Sequence, residues 1–115
     1  MNNENVIYRL SKQFALQIVE LYSILCNEKK EYVMSKQLYR SGTSIGANIA
    51  EAQYAQTKAD FVTKMHISLK EANETKYWLR LLYATNYIDD SCQSFMDDCD
   101  ELLRLLTATC KTTKQ

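Results

Sequence analysis

Residues 35–51 read SKQLYRSGTSIGANIAE, and this stretch decides the fold. With Ala52, its residues Leu38, Ser41, Ile45 and Asn48 recur at spacings of three and four, which is the period of an α-helix. Several of these positions hold small or polar residues where a core helix usually has leucine. The stretch therefore predicts a helix, beginning near residue 32 or 35 and ending near 54, with a buried stripe that is partly polar.

Small residues form a second pattern in the same stretch. Gly42, Gly46 and Ala50 recur every four residues and share one side of the helix. Small side chains let another helix backbone approach closely. The pattern predicts close packing against a helix of the same chain or of another subunit.

A polar face is the third pattern, and it spans two predicted helices. On the helix that includes residues 35–51, its members are Arg40, Ser41, Ser44, Asn48 and Glu51. On the helix that follows, its members are Glu71, Glu74 and Trp78. Because a buried guanidinium needs an acidic partner, we predict that Arg40 pairs with Glu71 or Glu74, inside the bundle or at a subunit seam. The alternatives are a plain packing network and a ligand or phosphate site built on Arg40.

Outside this stretch, three more segments have helical periodicity. They cover about residues 5–26, 57–86 and 89 onward, and the charged residues 27–31 are expected to form a solvated loop. Thr57 and Asp60 give a capping signal before the third helix. The chain has no proline and two glycines, and its connections are short. Residues 1–115 are therefore expected to form one all-α domain, an antiparallel up-down-up-down four-helix bundle.

The charge pattern argues against a simple electrostatic binder of nucleic acid. Fourteen basic and fourteen acidic residues give a formal net charge of zero, whereas such binders usually carry a basic excess. The start of the fourth helix is acidic. A small basic cluster at Lys29, Lys30 and Lys36 is the one candidate contact for RNA or DNA.

Residues for catalysis or metal binding are scarce. His66 is the single histidine and no Glu-x-x-His pair precedes it, which excludes the usual di-iron site of helical bundles. The four cysteines form no Cys-x-x-Cys pair and are expected to be reduced thiols. We predict no enzyme activity, no metal and no cofactor. With no signal pattern and no long apolar run, a cytoplasmic location without a membrane span is expected.

Two motifs carry a family resemblance over nearly the whole chain. The first is Gln37-Leu-x-Arg-Ser-x-x-Ser-Ile-x-x-Asn-Ile-x-Glu51. The second is Phe61-x-x-Lys64 followed by Glu71-Ala-x-Glu-Thr-x-Tyr-Trp-Leu79. Together they resemble the bacterial four-helix bundle proteins called large-subunit ribosomal RNA intervening-sequence proteins, which include the accessory variability determinant of diversity-generating retroelements.

The resemblance implies a bundle that assembles into a barrel-like homopentamer. It also implies, more weakly, an association with RNA, DNA or a reverse transcriptase, and it supplies no catalytic residue. We therefore expect a non-enzymatic, homo-oligomeric scaffold or adaptor of bacterial cytoplasm. The alternative is a nucleic-acid-binding accessory protein that uses Lys29, Lys30 and Lys36, and a third reading is an enzyme with a pocket around Arg40, Glu71 and Glu74.

Overall fold

The computed structural model describes residues 3–114, and this part of the chain forms four α-helices, one short 3-10 turn and no strand. The helices are α1 (Asn3–Asn27), α2 (Met34–Ala52), α3 (Lys58–Ala84) and α4 (Gln93–Lys114), and the 3-10 turn is Asp90–Cys92. Successive helices run antiparallel in a rod of 44 × 21 × 21 Å. Of the neighbouring helix pairs, α2 and α3 pack most extensively and α1 and α4 least extensively. The predicted up-down-up-down bundle is confirmed.

The core is a single apolar column with one side contributed by each helix. Phe14 of α1 meets Phe95 of α4 with ring centroids 4.8 Å apart. On α2 the stripe differs in part from the prediction, because Asn48 is only half-buried while Gly42 and Ile49 are buried. Seven buried positions at three-four spacing allow α2 to bury a face despite its polar composition. Within residues 3–114, none of the helices combines the length and apolarity that crossing a bilayer requires.

The glycine pattern packs against α1 of the same chain. A Cβ atom added to Gly42 would lie 2.6 Å from Ile18 Cδ1, which is too close for real atoms. At Gly46 the same atom would lie 3.4 Å from the Ser11 carbonyl oxygen, near ordinary contact. Of the two expected locations for close packing, the structure therefore places Gly42 and Gly46 inside the monomer. Ala50 is half-buried at the other end of the same stripe.

Glu31 corrects the prediction that residues 27–31 are a solvated loop. Its side chain is 7% exposed and accepts hydrogen bonds from the backbone N–H groups of Val33, Met34 and Ser35 at 3.1, 3.0 and 2.7 Å. Ser35 Oγ donates back to the Glu31 carbonyl oxygen at 2.7 Å. Val33 occupies the N-cap position and its side chain makes no capping bond, so Glu31 satisfies the N–H groups that a helix start leaves unpaired.

Burial pushes the pKa of the Glu31 carboxyl upward, but the backbone donors of Met34, Ser35 and Val33 outweigh burial and hold this pKa below its usual value. The carboxylate is therefore charged at neutral pH and stabilises the start of α2 electrostatically as well. Sequence reasoning missed this role because a charged run normally indicates solvent exposure.

The starts of the other helices follow local signals. Thr57 caps α3 by accepting from Asp60 N–H at 3.0 Å, as the sequence predicts. Asp89 accepts from Ser91 N–H at 2.9 Å and begins the 3-10 turn instead of an α-helix. The fourth α-helix therefore begins at Gln93, a few residues later than expected.

Candidate functional site

Arg40 forms the centre of a charged cluster between α2 and α3. Its Nη1 lies 3.1 Å from Glu71 Oε2, and its Nη2 donates to Glu74 Oε2. Trp78 Nε1 donates to the same Glu74 oxygen at 3.1 Å. Glu71, Glu74 and Trp78 are separated by three and four residues, so all three side chains lie on one side of α3. Glu71 and Glu74 bond the guanidinium, and Trp78 bonds Glu74. The predicted pairing of Arg40 is present, and it uses both acids.

The cluster lies at the surface of the monomer. The side chains of Arg40, Glu71 and Glu74 are 49%, 18% and 36% exposed. The hydrogen bonds that Arg40 donates to Glu74 and Glu71 raise the pKa of Arg40. Burial raises the pKa of Glu74, but the hydrogen bonds from Arg40 and Trp78 outweigh burial and lower it. Arg40 and Glu74 therefore stay charged at neutral pH. Of the two predicted locations for Arg40, the bundle interior does not apply to the monomer, and the subunit seam stays a prediction.

Ser44, Asn48 and Glu51 do not join this cluster. Ser44 Oγ donates to the Arg40 carbonyl oxygen at 2.6 Å, and Asn48 Nδ2 donates to the Ser44 carbonyl oxygen at 2.8 Å. Both side chains therefore bond their own helix. Glu51 lies 3.4 Å from Lys64 Nζ in a separate ion pair, about three helix turns from Arg40. Pairs of this kind contribute little to stability.

A buried hydroxyl seam runs beneath the charged cluster. Thr75 Oγ1 lies 3.0 Å from Ser41 Oγ, and Ser68 Oγ donates to the Ile45 carbonyl oxygen across the helix pair at 2.9 Å. Ser41, Ser68 and Thr75 are fully buried. Sequence reasoning placed Ser41 on the polar face but gave no role to Ser68 or Thr75. Their positions on the stripe that includes Met65 and Leu79 are the signal that could have found them.

The predicted basic cluster is exposed at one end of the bundle. Lys29 and Lys30 follow α1, and Lys36 lies in the first turn of α2. Lys29 faces the acidic connection before α4: the hydrogen bonds from Ser91 lower the pKa of Asp89, and the positive charge of Lys29 contributes to the same shift. The acids of that connection therefore weaken the attraction of Lys29 for a phosphate.

Nucleophilic and metal-binding groups do not converge in the described residues. Among residues 3–114, no group of three or more His, Cys, Asp or Glu side chains is placed to hold a metal ion. The Nε2 atom of His66 is buried and has no hydrogen-bond partner among them. Cys99 is buried, and burial together with the charge of Asp100 raises the pKa of its thiol to about 12. The site that the sequence predicted is thus an ion-pair cluster over a hydroxyl seam.

Comparisons with known proteins agree with this architecture. The family model described as 23S rRNA-intervening sequence protein matches residues 3–108. Among solved structures, the chain is similar to a Bacteroides thetaiotaomicron VPI-5482 protein whose crystal structure, at 1.70 Å resolution, is described as that of a protein of unknown function from the S23 ribosomal protein family. The two are 53% identical, the match covers 96% of this chain and 99% of that one, and the TM-score is 0.93. No curated protein matches. With this match over almost its full length, the chain belongs to the 23S rRNA-intervening sequence protein family.

Proposed function

We propose that the protein is a non-enzymatic, homo-oligomeric scaffold or adaptor of the bacterial cytoplasm, and that five copies form the assembly. One observation carries this proposal: large apolar side chains remain exposed along the long helices of the monomer. They include Leu16 (62%), Tyr77 (57%), Val19 (45%) and Tyr39 (41%). Exposed apolar patches on a protein surface often mark contact surfaces. The number five rests on the family resemblance.

The charged cluster supports a structural role over a catalytic one. The Arg40 guanidinium is already bonded to two carboxylates, so the cluster has an excess of negative charge and holds no unpaired cation for an anionic substrate. We infer that this two-armed ion pair helps to set how α2 and α3 align, a role that polar pairs have in some other helical assemblies. This arrangement suits a rigid building block.

The solution mass tests the proposal. Multi-angle light scattering at low and high salt is expected to give one species of about five chain masses under both conditions, because apolar contacts do not weaken with salt. A monomer at every accessible concentration would refute the scaffold reading. A discrete species with another number of chains would keep the scaffold and refute the pentamer.

A second candidate function is a nucleic-acid-binding accessory protein. Lys30 and Lys36 are exposed, and the structure shows no ion pair for either side chain within the described residues. The family description adds a link to ribosomal RNA sequences. Fluorescence anisotropy with a labelled RNA at two salt concentrations tests this function, because phosphate contacts weaken steeply with salt. Binding that falls with salt and is lost when Lys29, Lys30 and Lys36 are all changed to glutamine would support this function. An absence of binding at low salt would exclude it.

A further inference from the structure

A groove opens on the outer side of the α1–α2 pair. Its volume is about 170 Å³, and small residues of α2, among them Gly46, Ala47 and Ala50, form its floor. Tyr8 of α1 lies at its edge, and Lys12 is the one charged side chain among the described residues that line it. The groove offers space for side chains that project from another surface.

Apolar side chains extend this groove along the same side of the pair. Leu16 and Val19 of α1 are 62% and 45% exposed. Tyr39 of α2 is 41% exposed and contacts Tyr22 of α1 with ring centroids 4.8 Å apart. We call the groove together with Leu16, Val19 and Tyr39 the α1–α2 face.

A projecting aromatic cluster lies on a different side of the bundle. Tyr77 of α3 is 57% exposed, and its ring packs edge-on against Trp78 at 5.0 Å. Leu81 lies one turn beyond Tyr77 and is half-buried. Glu74, one turn before Trp78, places a carboxylate at the border of this group. We call Tyr77, Trp78 and Leu81 the α3 cluster.

We propose that the α3 cluster of one copy packs onto the α1–α2 face of the next copy, which makes this contact the seam of the assembly. This inference rests on the self-association proposed above. The shapes are complementary, since one surface is concave with a floor of small residues and the other projects large rings. The charges also match, because Lys12 lies on the receiving surface and Glu74 borders the entering one.

The need to cover two separate surfaces favours this head-to-tail arrangement over a two-fold dimer. A two-fold pairing of α1–α2 faces would leave the α3 cluster uncovered. Using both surfaces on every copy covers both, and repeated contacts between two different surfaces form a ring when the rotation between neighbouring copies closes.

Paired charge substitutions test the seam. Val19→Lys places a cation on the α1–α2 face, and Tyr77→Lys places one in the α3 cluster. Ile24→Lys is the matched control: Ile24 is also on α1 and is 43% exposed, against 45% for Val19. It lies about 140° away from Val19 around the helix axis. Because all three side chains are exposed, the monomer fold is expected to survive, and circular dichroism checks this.

Light scattering on the separate and mixed variants gives the decisive result. Val19→Lys and Tyr77→Lys alone are expected to give monomers, whereas Ile24→Lys keeps the wild-type mass. The Val19→Lys chain keeps an intact α3 cluster, and the Tyr77→Lys chain keeps an intact α1–α2 face. An equimolar mixture of the two is therefore expected to form a species of two chain masses. Variants that keep the wild-type mass, or monomers that fail to pair on mixing, would overturn the seam. A monomeric wild-type protein would instead refute the self-association on which the inference rests.

Discussion

The Glu31 cap gives the sharpest prediction about stability. The carboxylate accepts three backbone N–H groups at the start of α2 and is almost completely buried. Replacing a side-chain cap costs about 0.5–2 kcal/mol, and hydrogen bonds to a charged group are worth about 1.5–3 kcal/mol each. We expect Glu31→Gln, which keeps one acceptor oxygen, to lower the free energy of unfolding by about 1 kcal/mol. Glu31→Ala is expected to lower it by about 2 kcal/mol.

Thermal unfolding measures this effect directly. For a domain of this size about 1 kcal/mol corresponds to roughly 4 °C in Tm, so the two variants should unfold about 4 and 8 °C below the wild type. Protein concentration must be equal in all samples, because self-association would make Tm depend on it. Glu28→Gln is the matched control, since Glu28 precedes the same loop but is exposed. It is expected to change Tm by less than about 2 °C.

The pH dependence separates a charged cap from simple packing. The pKa of Glu31 is lower in the folded state than its ordinary value of 4.5. A lowered folded pKa means that the stabilisation is complete above 4.5 and disappears as the pH falls through the folded pKa. The Tm difference between wild type and Glu31→Gln should therefore be constant from pH 8 to about 5 and should shrink below about 4. Equal Tm values at pH 7, or a difference that persists unchanged to pH 3, would refute the cap.

Three further predictions test the packing of α2 and the buried thiol. Gly42→Ala should destabilise the fold by about 1–2 kcal/mol because the new methyl group collides with Ile18. Gly46→Ala should be neutral or stabilising by up to about 1 kcal/mol, since alanine favours helix and the space is sufficient. Urea unfolding of both variants measures the two changes in stability. Thr75→Val should lower the free energy of unfolding by about 1–2 kcal/mol because it leaves the buried Ser41 hydroxyl without its closest partner. Thr63→Val, at an exposed site, should lower it little, and equal losses of stability in the two variants would contradict the role of the hydroxyl seam. Cys99, with its pKa raised from 9.0 to about 12, should have about 1000-fold less thiolate at pH 8 than an ordinary thiol, so mass spectrometry after iodoacetamide treatment should show it unmodified until urea unfolds the chain.

The fold could be predicted from the sequence because its signals are local and agree with each other. The three-four spacing of apolar residues, the absence of proline and the Thr57 cap all indicate long helices joined by short turns. Periodicity could not determine how α2 is rotated about its own axis, and so which of its residues face the core. Asn48 was expected inside, but Gly42 and Ile49 are buried instead, because close packing on Ile18 turns the glycine side of α2 toward α1.

The candidate site could be predicted only in part. The pairing of Arg40 with Glu71 and Glu74 follows from residue spacing and the need to balance charge. The degree of exposure does not, because it depends on how far the two helices splay at that level. Glu31 shows the reverse error, since its place in a charged run predicts exposure whereas its side chain is buried. Only the path of the chain after Lys30, whose φ is 56°, brings its carboxylate back to the helix start.

The hydroxyl seam between α2 and α3 also has a consequence for motion. Ser68 and Thr75 are seven residues apart, so their two bonds to α2 anchor the pair at points separated by about 10 Å along its length. Sliding one helix past the other by a turn would break both bonds and bury unpaired hydroxyls. The α2–α3 pair should therefore move as one rigid unit, and its amides should exchange with deuterium last. The contact between α1 and α4, the least extensive of the neighbouring helix pairs, should open first.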